Sequence, residues 1–271
     1  MRVARTVAEL RGALELARGR GERIGLVPTM GAFHAGHLSL ITGARDECDV
    51  VVVSIFVNPT QFGPAEDLER YPRQEARDLE LAADASVDLV FAPPVDEVYP
   101  AGFDTWVDPG ALATVLEGAH RPGHFRGVAT VCVRLFGIVR PHAAYFGHKD
   151  AQQLAVLEQV VRDLALPIEI RPMPTIRDPD GLALSSRNAY LSADERQLAL
   201  ALPRALDAGL AAHRSGESDT DAADAARAVL DAAGAGLTVD YVSVADLGGP
   251  TLAAAVRVGG TRLIDNVRLD E

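Results

Sequence analysis

Two imidazoles stand three residues apart in the run Pro28-Thr29-Met30-Gly31-Ala32-Phe33-His34-Ala35-Gly36-His37. The run follows an apolar, strand-like stretch, Arg23 to Thr29. It precedes His37 to Glu47, where Leu38, Ile41 and Ala44 have helical spacing. At a strand-to-helix junction, backbone N–H groups and the helix dipole attract an anion. The small residues let a nucleotide lie on the backbone, and His34 and His37 can reach one phosphate. The glycine spacing is neither G-x-G-x-x-G nor G-x-x-x-x-G-K-[ST], so dinucleotide and P-loop readings fail. Two alternatives stay open: a zinc pair, for which no third ligand is obvious nearby, and a helix cap with incidental histidines.

Two further elements carry cationic or hydroxyl groups. Of 26 lysine and arginine residues only Lys149 is lysine. A compact ammonium on a thin stem suits a phosphate oxygen in a tight site where a planar guanidinium would not fit. It lies in Phe146-Gly147-His148-Lys149-Asp150-Ala151-Gln152-Gln153-Leu154, between a short strand and a helix. Leu184-Ser185-Ser186-Arg187-Asn188 offers two hydroxyls and a fork-shaped cation in a loop after Asp178-Pro179-Asp180-Gly181. Such triplets are common in loops, so this one is weak alone.

The elements that must position these groups alternate. The run Asp49 to Val57 is apolar and β-branched, as in a central parallel strand covered on both faces. A polar loop (Asn58 to Tyr71), a helix (Gln74 to Ala85) and a strand (Asp88 to Ala92) follow. Then come a helix (Val128 to Val139), a strand (Ala143 to Phe146), a helix (Ala151 to Leu164) and a strand (Ile168 to Ile170). The rhythm predicts an α/β, Rossmann-like doubly wound parallel sheet with ligands beyond the carboxyl ends of its strands. After Pro172-Met173-Pro174 the character changes. A capping box, Ser192 to Glu195, opens a helix to about His213, a second helix runs from Asp219 to Ala233, and three short strands follow: Thr238 to Val244, Leu252 to Val258 and Thr261 to Asn266. This predicts a smaller α+β domain at 177–271 after a nucleotide- and acid-binding domain at 1–176.

Composition narrows the function. A net charge of −12 argues against a nucleic-acid surface, so an anionic ligand must meet a local basic pocket. No apolar run reaches the ~18 residues that span a bilayer. The N-terminus leads into an amphipathic pattern (Val7, Leu10, Leu14, Leu16) without a cleavable leader, which predicts a cytoplasmic protein. Cys48 and Cys132 have no C-x-x-C spacing and read as buried thiols.

His-x-Gly-His is a signature of the nucleotidyl-transferase superfamily. The chain further resembles the pantothenate synthetase family in six ordered blocks, at 28–37, 56–62 (Phe-Val-Asn-Pro-Thr-Gln-Phe), 121–128 (Arg-Pro-Gly-His-Phe-Arg-Gly-Val), 145–153, 185–188 and 262–266 (Arg-Leu-Ile-Asp-Asn). The resemblance implies that pantoate attacks the α-phosphorus of ATP, pyrophosphate leaves, and the amine of β-alanine attacks the adenylate to give pantothenate and AMP. A carboxylate needs no general base, since its pKa lies near ~4, so alignment and charge neutralisation dominate. The resemblance implies catalytic roles for His34, His37, Lys149 and Arg187. It implies ATP contacts by Met30, Gly31, His34, Gly36, His37, Gly147, Lys149, Asp150, Ile176, Leu184, Ser185, Ser186 and Arg187. Pantoate would be held by Gln61, Gln153 and Met30, β-alanine by Gln61 and His124, and the transferring phosphate by Asn58. Mg²⁺ would bridge phosphates, with Asp78 the one carboxylate at an expected metal position. A homodimer, and a C-terminal domain acting as a lid that keeps water off the adenylate, are also implied.

The chain departs from the family's pattern at His148, where Glu is usual, at Leu184, where Met is usual, and at His142, where Asp is usual. None removes a phosphate ligand. Two other functions fit the histidine pair: an adenylyltransferase that leaves AMP on its product, and a nucleotide- or metal-binding sensor without turnover.

Overall fold

The computed structural model describes residues 1–64 and 66–270; Ala65, within the expected polar loop, and Glu271, at the end of the expected C-terminal domain, lie outside the described residues. The chain divides into two compact units, one of Met1–Gly147 with Val156–Met173, the other of His148–Ala155 with Pro174–Glu271.

The first unit is built on six strands: β1 (Arg2–Ala4), β2 (Ile24–Thr29), β3 (Val50–Ile55), β4 (Leu89–Phe91), β5 (Ala143–Gly147) and β6 (Glu169–Met173). They form one wholly parallel sheet in the order β1-β4-β3-β2-β5-β6. The helices are α1 (Val7–Gly19), α2 (Ala35–Glu47), α3 (Glu75–Asp84), the single turns α4 (Val95–Val98) and α5 (Glu117–His120), then α6 (His124–Val139) and α7 (Ala151–Asp163). The last begins among the residues assigned to the other unit. Val51, Val52 and Val53 are all fully buried, so both faces of β3 are covered, as its unbroken apolar run requires. From β2 the strand order runs one way to β3 and the other way to β5. The carboxyl end of β2 is therefore the switch point at which such sheets hold ligands.

The differences from the sequence reading have local causes. β1 has one buried residue in three, too little for a pattern. In α1 the buried side chains are Leu10, Leu14 and Ala17, while Leu16 faces water, because positions 10, 14 and 17 share a face and 16 does not. The helix expected from His37 begins at Ala35 with His34 as its cap. The helix expected from Val128 begins four residues earlier, at His124, behind a left-handed Gly123.

The second unit contains α8 (Ala193–Ala199), α9 (Ala201–Arg214) and α10 (Asp219–Asp231), then β7 (Leu237–Asp246), β8 (Pro250–Val258) and β9 (Thr261–Arg268). The three strands form an antiparallel sheet in the order β7-β8-β9. Its core joins Leu202, Leu206 and Leu230 from the helices to Leu252, Val256 and Leu263 from the sheet. The Ser192–Glu195 capping box is present. The single helix expected up to His213 is broken at Leu200, because Pro203 has no N–H to donate to the Ala199 carbonyl one turn earlier. Both cysteines are free and buried, and burial pushes the Cys132 thiol up to about 12.

Candidate active site

The turn after β2 is braced from within. The Thr29 hydroxyl donates to the Ser54 carbonyl at 2.6 Å and accepts from the Gly31 N–H at 3.1 Å. Gly31 (φ 83°) and Ala32 (φ 53°) are both left-handed, and the N–H groups of Ala32 and Phe33 converge on the two carboxylate oxygens of buried Asp78, at 2.8 and 2.7 Å. Consecutive N–H groups of this kind make an anion nest, and the protein fills it with its own carboxylate. A Cβ on Gly31 would lie 2.9 Å from Asp78 Oδ2, so only glycine serves there.

The histidines form a capping box. His34 Nδ1 accepts from the Gly36 N–H at 3.1 Å, and His37 Nδ1 accepts from the His34 N–H at 3.4 Å. The rings lie 4.2 Å apart. The helix-cap alternative is therefore real, yet the histidines are not incidental. A neutral ring that accepts at Nδ1 carries its proton on Nε2, so both rings are set as Nε2–H donors. The expectation that backbone N–H groups of the turn await phosphate needs correction. Those of residues 31, 32, 33, 34, 36 and 37 donate inside the turn or to Asp78. Asp78, expected near a metal, is the brace of the turn.

Beside it, Asn58 caps the short helical turn Pro59–Gln61. Its side chain is 1 % exposed. Its Nδ2 donates to Gln61 Oε1 (3.0 Å) and to the Gly127 carbonyl (3.3 Å), and its Oδ1 accepts from the Tyr99 and Thr60 hydroxyls (2.8 and 2.9 Å). Both donors and the acceptor of Asn58 are engaged within the fold, and one of these bonds orients Gln61. It holds the Gln61 oxygen inward and turns its amide nitrogen to Met30 Sδ at 3.3 Å. Gln61 and Met30, both expected at the acid-binding site, thus meet.

His124, expected at the β-alanine site, is the buried first residue of α6. Its Nδ1 is 2.9 Å from the Gln61 carbonyl and its Nε2 is 3.0 Å from Arg121 Nη1. A carbonyl only accepts and a guanidinium only donates, so the ring is the neutral Nδ1–H form. Burial, then the charge of Arg121, pushes its pKa down to about 4. His124 thus braces the Gln61 backbone. Arg121 also forks onto Glu66 at 2.8 and 2.6 Å. Burial raises the Glu66 pKa, but the bonds and charge of Arg121 prevail and hold it below the usual range. Arg121 and Gly127 carry no role in the sequence reading. Their signal was their place in the block 121–128.

In the other unit Lys149 is largely shielded, with Nζ 3.8 Å from Asp150 Oδ1. The carbonyls of His148 and Lys149 both accept from Asn266 Nδ2 at 2.9 Å. The next residue back, Asp265, is 2 % exposed and takes a forked ion pair from Arg177 at 2.6 and 3.0 Å. Burial alone would lower the Arg177 pKa, and the Asp265 bonds leave it raised. Arg177 pairs with Ala183, and the Leu184 N–H donates to the Ile176 carbonyl at 2.9 Å. The loop then enters a short helical turn, Ser186–Tyr190, capped by Ser185. One end of β9 therefore pins both the Lys149 segment and the loop bearing Ser185, Ser186 and Arg187. Gln153 is half-buried in the first turn of α7. His142, one of the departures, accepts the Ile24 N–H through Nδ1 at 2.9 Å, a task a carboxylate oxygen could equally perform.

Comparison with known proteins bears on this arrangement. The sequence profile of the pantoate-beta-alanine ligase family matches residues 2–268. The chain is 55 % identical to the pantothenate synthetase of Roseiflexus sp. (strain RS-1), over the full length of both. The crystal structure of the pantothenate synthetase from Thermus thermophilus superposes with a TM-score of 0.93 at 48 % identity, covering 99 % of each chain. That of the Francisella tularensis pantoate-beta-alanine ligase, in complex with β-γ ATP and β-alanine, superposes with a TM-score of 0.84 at 34 % identity, covering 100 % of this chain and 98 % of the other. With its motif blocks and both units matched from end to end, the chain belongs to the pantoate-beta-alanine ligase family.

Proposed function

We propose that this chain condenses pantoate with β-alanine at the expense of ATP, through a pantoyl adenylate, releasing pyrophosphate and AMP. The observation that carries the reading is full-length membership of the family, supported by the paired histidine donors on the turn and the oriented Gln61 amide. The pantoate carboxylate attacks the α-phosphorus while pyrophosphate departs. The β-alanine amine then attacks the carbonyl carbon, and AMP leaves as the new C–N bond forms. Neither step needs a protein nucleophile. The residues neutralise phosphate charge and hold the reactants in line.

The division of roles follows the family resemblance. Residues 1–176 bind ATP and pantoate, with Met30, Gly31, His34, Gly36, His37 and Gly147 at the nucleotide, and Gln61, Met30 and Gln153 at pantoate. Residues 177–271 contribute Leu184, Ser185, Ser186 and Arg187 to the phosphates, and Lys149, Asp150 and Ile176 complete the nucleotide set. Among the described residues no three His, Cys, Asp or Glu side chains are grouped to hold a metal, and both Asp78 oxygens accept backbone N–H groups. The described residues therefore offer no ready protein cage for Mg²⁺. A Mg²⁺ ion would enter on the nucleotide's own phosphates, as it commonly does. A cytoplasmic location rests on family likeness; among the described residues no helix is long and apolar enough to cross a membrane. The homodimer rests on family likeness and is tested by sedimentation.

Mass spectrometry of products from ATP, pantoate and β-alanine tests the reaction. Pantothenate and AMP are expected, with AMP release dependent on β-alanine. AMP retained on the acid would instead mark an adenylyltransferase. Lys149→Ala should abolish pyrophosphate release with an unchanged circular dichroism spectrum; near-normal turnover would remove Lys149 from the site.

A further inference from the structure

At the carboxyl end of α6 the first unit has a cavity of about 300 Å³ lined by Arg11, Gly12, Glu15, Arg18 and Arg140. It stands at the opposite end of α6 from His124, a helix of 16 residues or roughly 24 Å. It is thus separate from the residues discussed above. In a chain of net charge −12, three guanidinium groups here face a single carboxylate.

Part of that charge serves the fold. Arg18 donates to the Val139 carbonyl at 2.6 Å, and Arg11 reaches the Gly137 carbonyl at 3.4 Å. Both satisfy orphan carbonyls at the negative end of the helix. That end amounts to about half a charge, so together with Glu15 it leaves more than one positive charge uncompensated. Each guanidinium has five N–H donors, and these bonds use one apiece. Burial first, and then the charges of Arg140 and Arg11, hold the Arg18 pKa below its ordinary value.

Arg140 adds a backbone observation. It ends α6 with φ 46° and ψ 58°, the left-handed position where glycine is the usual residue and any side chain is disfavoured. The fold keeps a long cationic side chain at a site where local conformation alone favours none.

We propose that this cavity binds a small phosphate-bearing anion, held between the Arg11, Arg18 and Arg140 guanidinium groups. Planar forked donors match tetrahedral oxyanions in pairs of hydrogen bonds, and the volume of about 300 Å³ suits a phosphomonoester or inorganic phosphate. Gly12 leaves one wall open, since nothing lies within 4 Å of where its Cβ would be.

The test is arginine modification by phenylglyoxal on the intact protein, mapped by peptide mass spectrometry, with inorganic phosphate against chloride at matched ionic strength. Mapping separates this cavity from phosphate bound at the catalytic residues. Phosphate should slow modification of Arg11, Arg18 and Arg140 and leave exposed Arg162 unaffected. Arg140→Gly relaxes the strained backbone while deleting a guanidinium, so it should melt no lower than the parent and keep its turnover. The phosphate concentration giving half protection of Arg18 should rise roughly tenfold, the scale of a charge-assisted hydrogen bond. Arg11→Gln should do the same. Equal modification with and without phosphate, or half protection unmoved in both variants, would overturn the proposal.

Discussion

His124 shows how one residue's surroundings decide its chemistry. Its folded pKa, about 4, lies below the ordinary 6.5. The unfolded chain therefore binds more protons between those values, and stability is complete above pH 6.5 and falls as pH drops through 4. Between pH 7 and pH 4.5 the loss from this one group is about 2 kcal/mol. Urea unfolding at the two pH values checks this. His124→Gln should be less stable at pH 7 and lose that part of the acid dependence, and an unchanged difference between the two pH values would reject the buried neutral ring. The sequence shows a histidine in a glycine-rich stretch and cannot show that both its nitrogens are spoken for, since the Gln61 carbonyl is 63 residues away in the chain. The same holds for Asn58. Its Nδ2 has the look of a phosphate donor in the sequence, and in the fold it donates to Gln61 Oε1 and the Gly127 carbonyl.

Elements were more legible than these partners. The apolar run of β3, the alternation that makes a parallel sheet and the Ser192 capping box depend on neighbours along the chain, and each appears where the pattern puts it. What escaped were features set by distant contacts, such as β1, and the approach of α6 to the Asn58–Gln61 turn. At Gly127 a Cβ would sit 2.3 Å from the Thr60 carbonyl oxygen and 2.8 Å from Gln61 Cα. Alanine improves helix propensity over glycine by about 1 kcal/mol, but the clash is with backbone, which cannot rotate away, and overpacking costs about 1–3 kcal/mol. Gly127→Ala should therefore lower the melting temperature and raise the KM for pantoate through a displaced Gln61. An unchanged KM would disconnect α6 from acid binding. On β9, Asn266→Ala removes two bonds worth about 1 kcal/mol each and frees the carbonyls at 148 and 149. The expected outcome is a fall in kcat larger than the modest loss of stability, measured by steady-state assay beside thermal denaturation.

For the whole molecule, the parallel sheet brings the histidine turn to its switch point, and the small antiparallel sheet holds the lysine segment and the Ser185–Arg187 loop by one strand end. Each half of the proposed chemistry is thus held by hydrogen bonds within its own unit. The lysine segment also has an experimental use. Since lysine occurs nowhere else in the sequence, Lys149 is the only side-chain amine in the chain, and it is 19 % exposed. An acylating reagent accordingly meets one internal target, and its rate of incorporation becomes a direct report on occupancy of the proposed nucleotide site, without any mutation. Saturating ATP should suppress labelling of Lys149 as followed by peptide mass spectrometry, which separates it from the Met1 α-amine, whereas labelling indifferent to ATP would place that amine outside the nucleotide's reach.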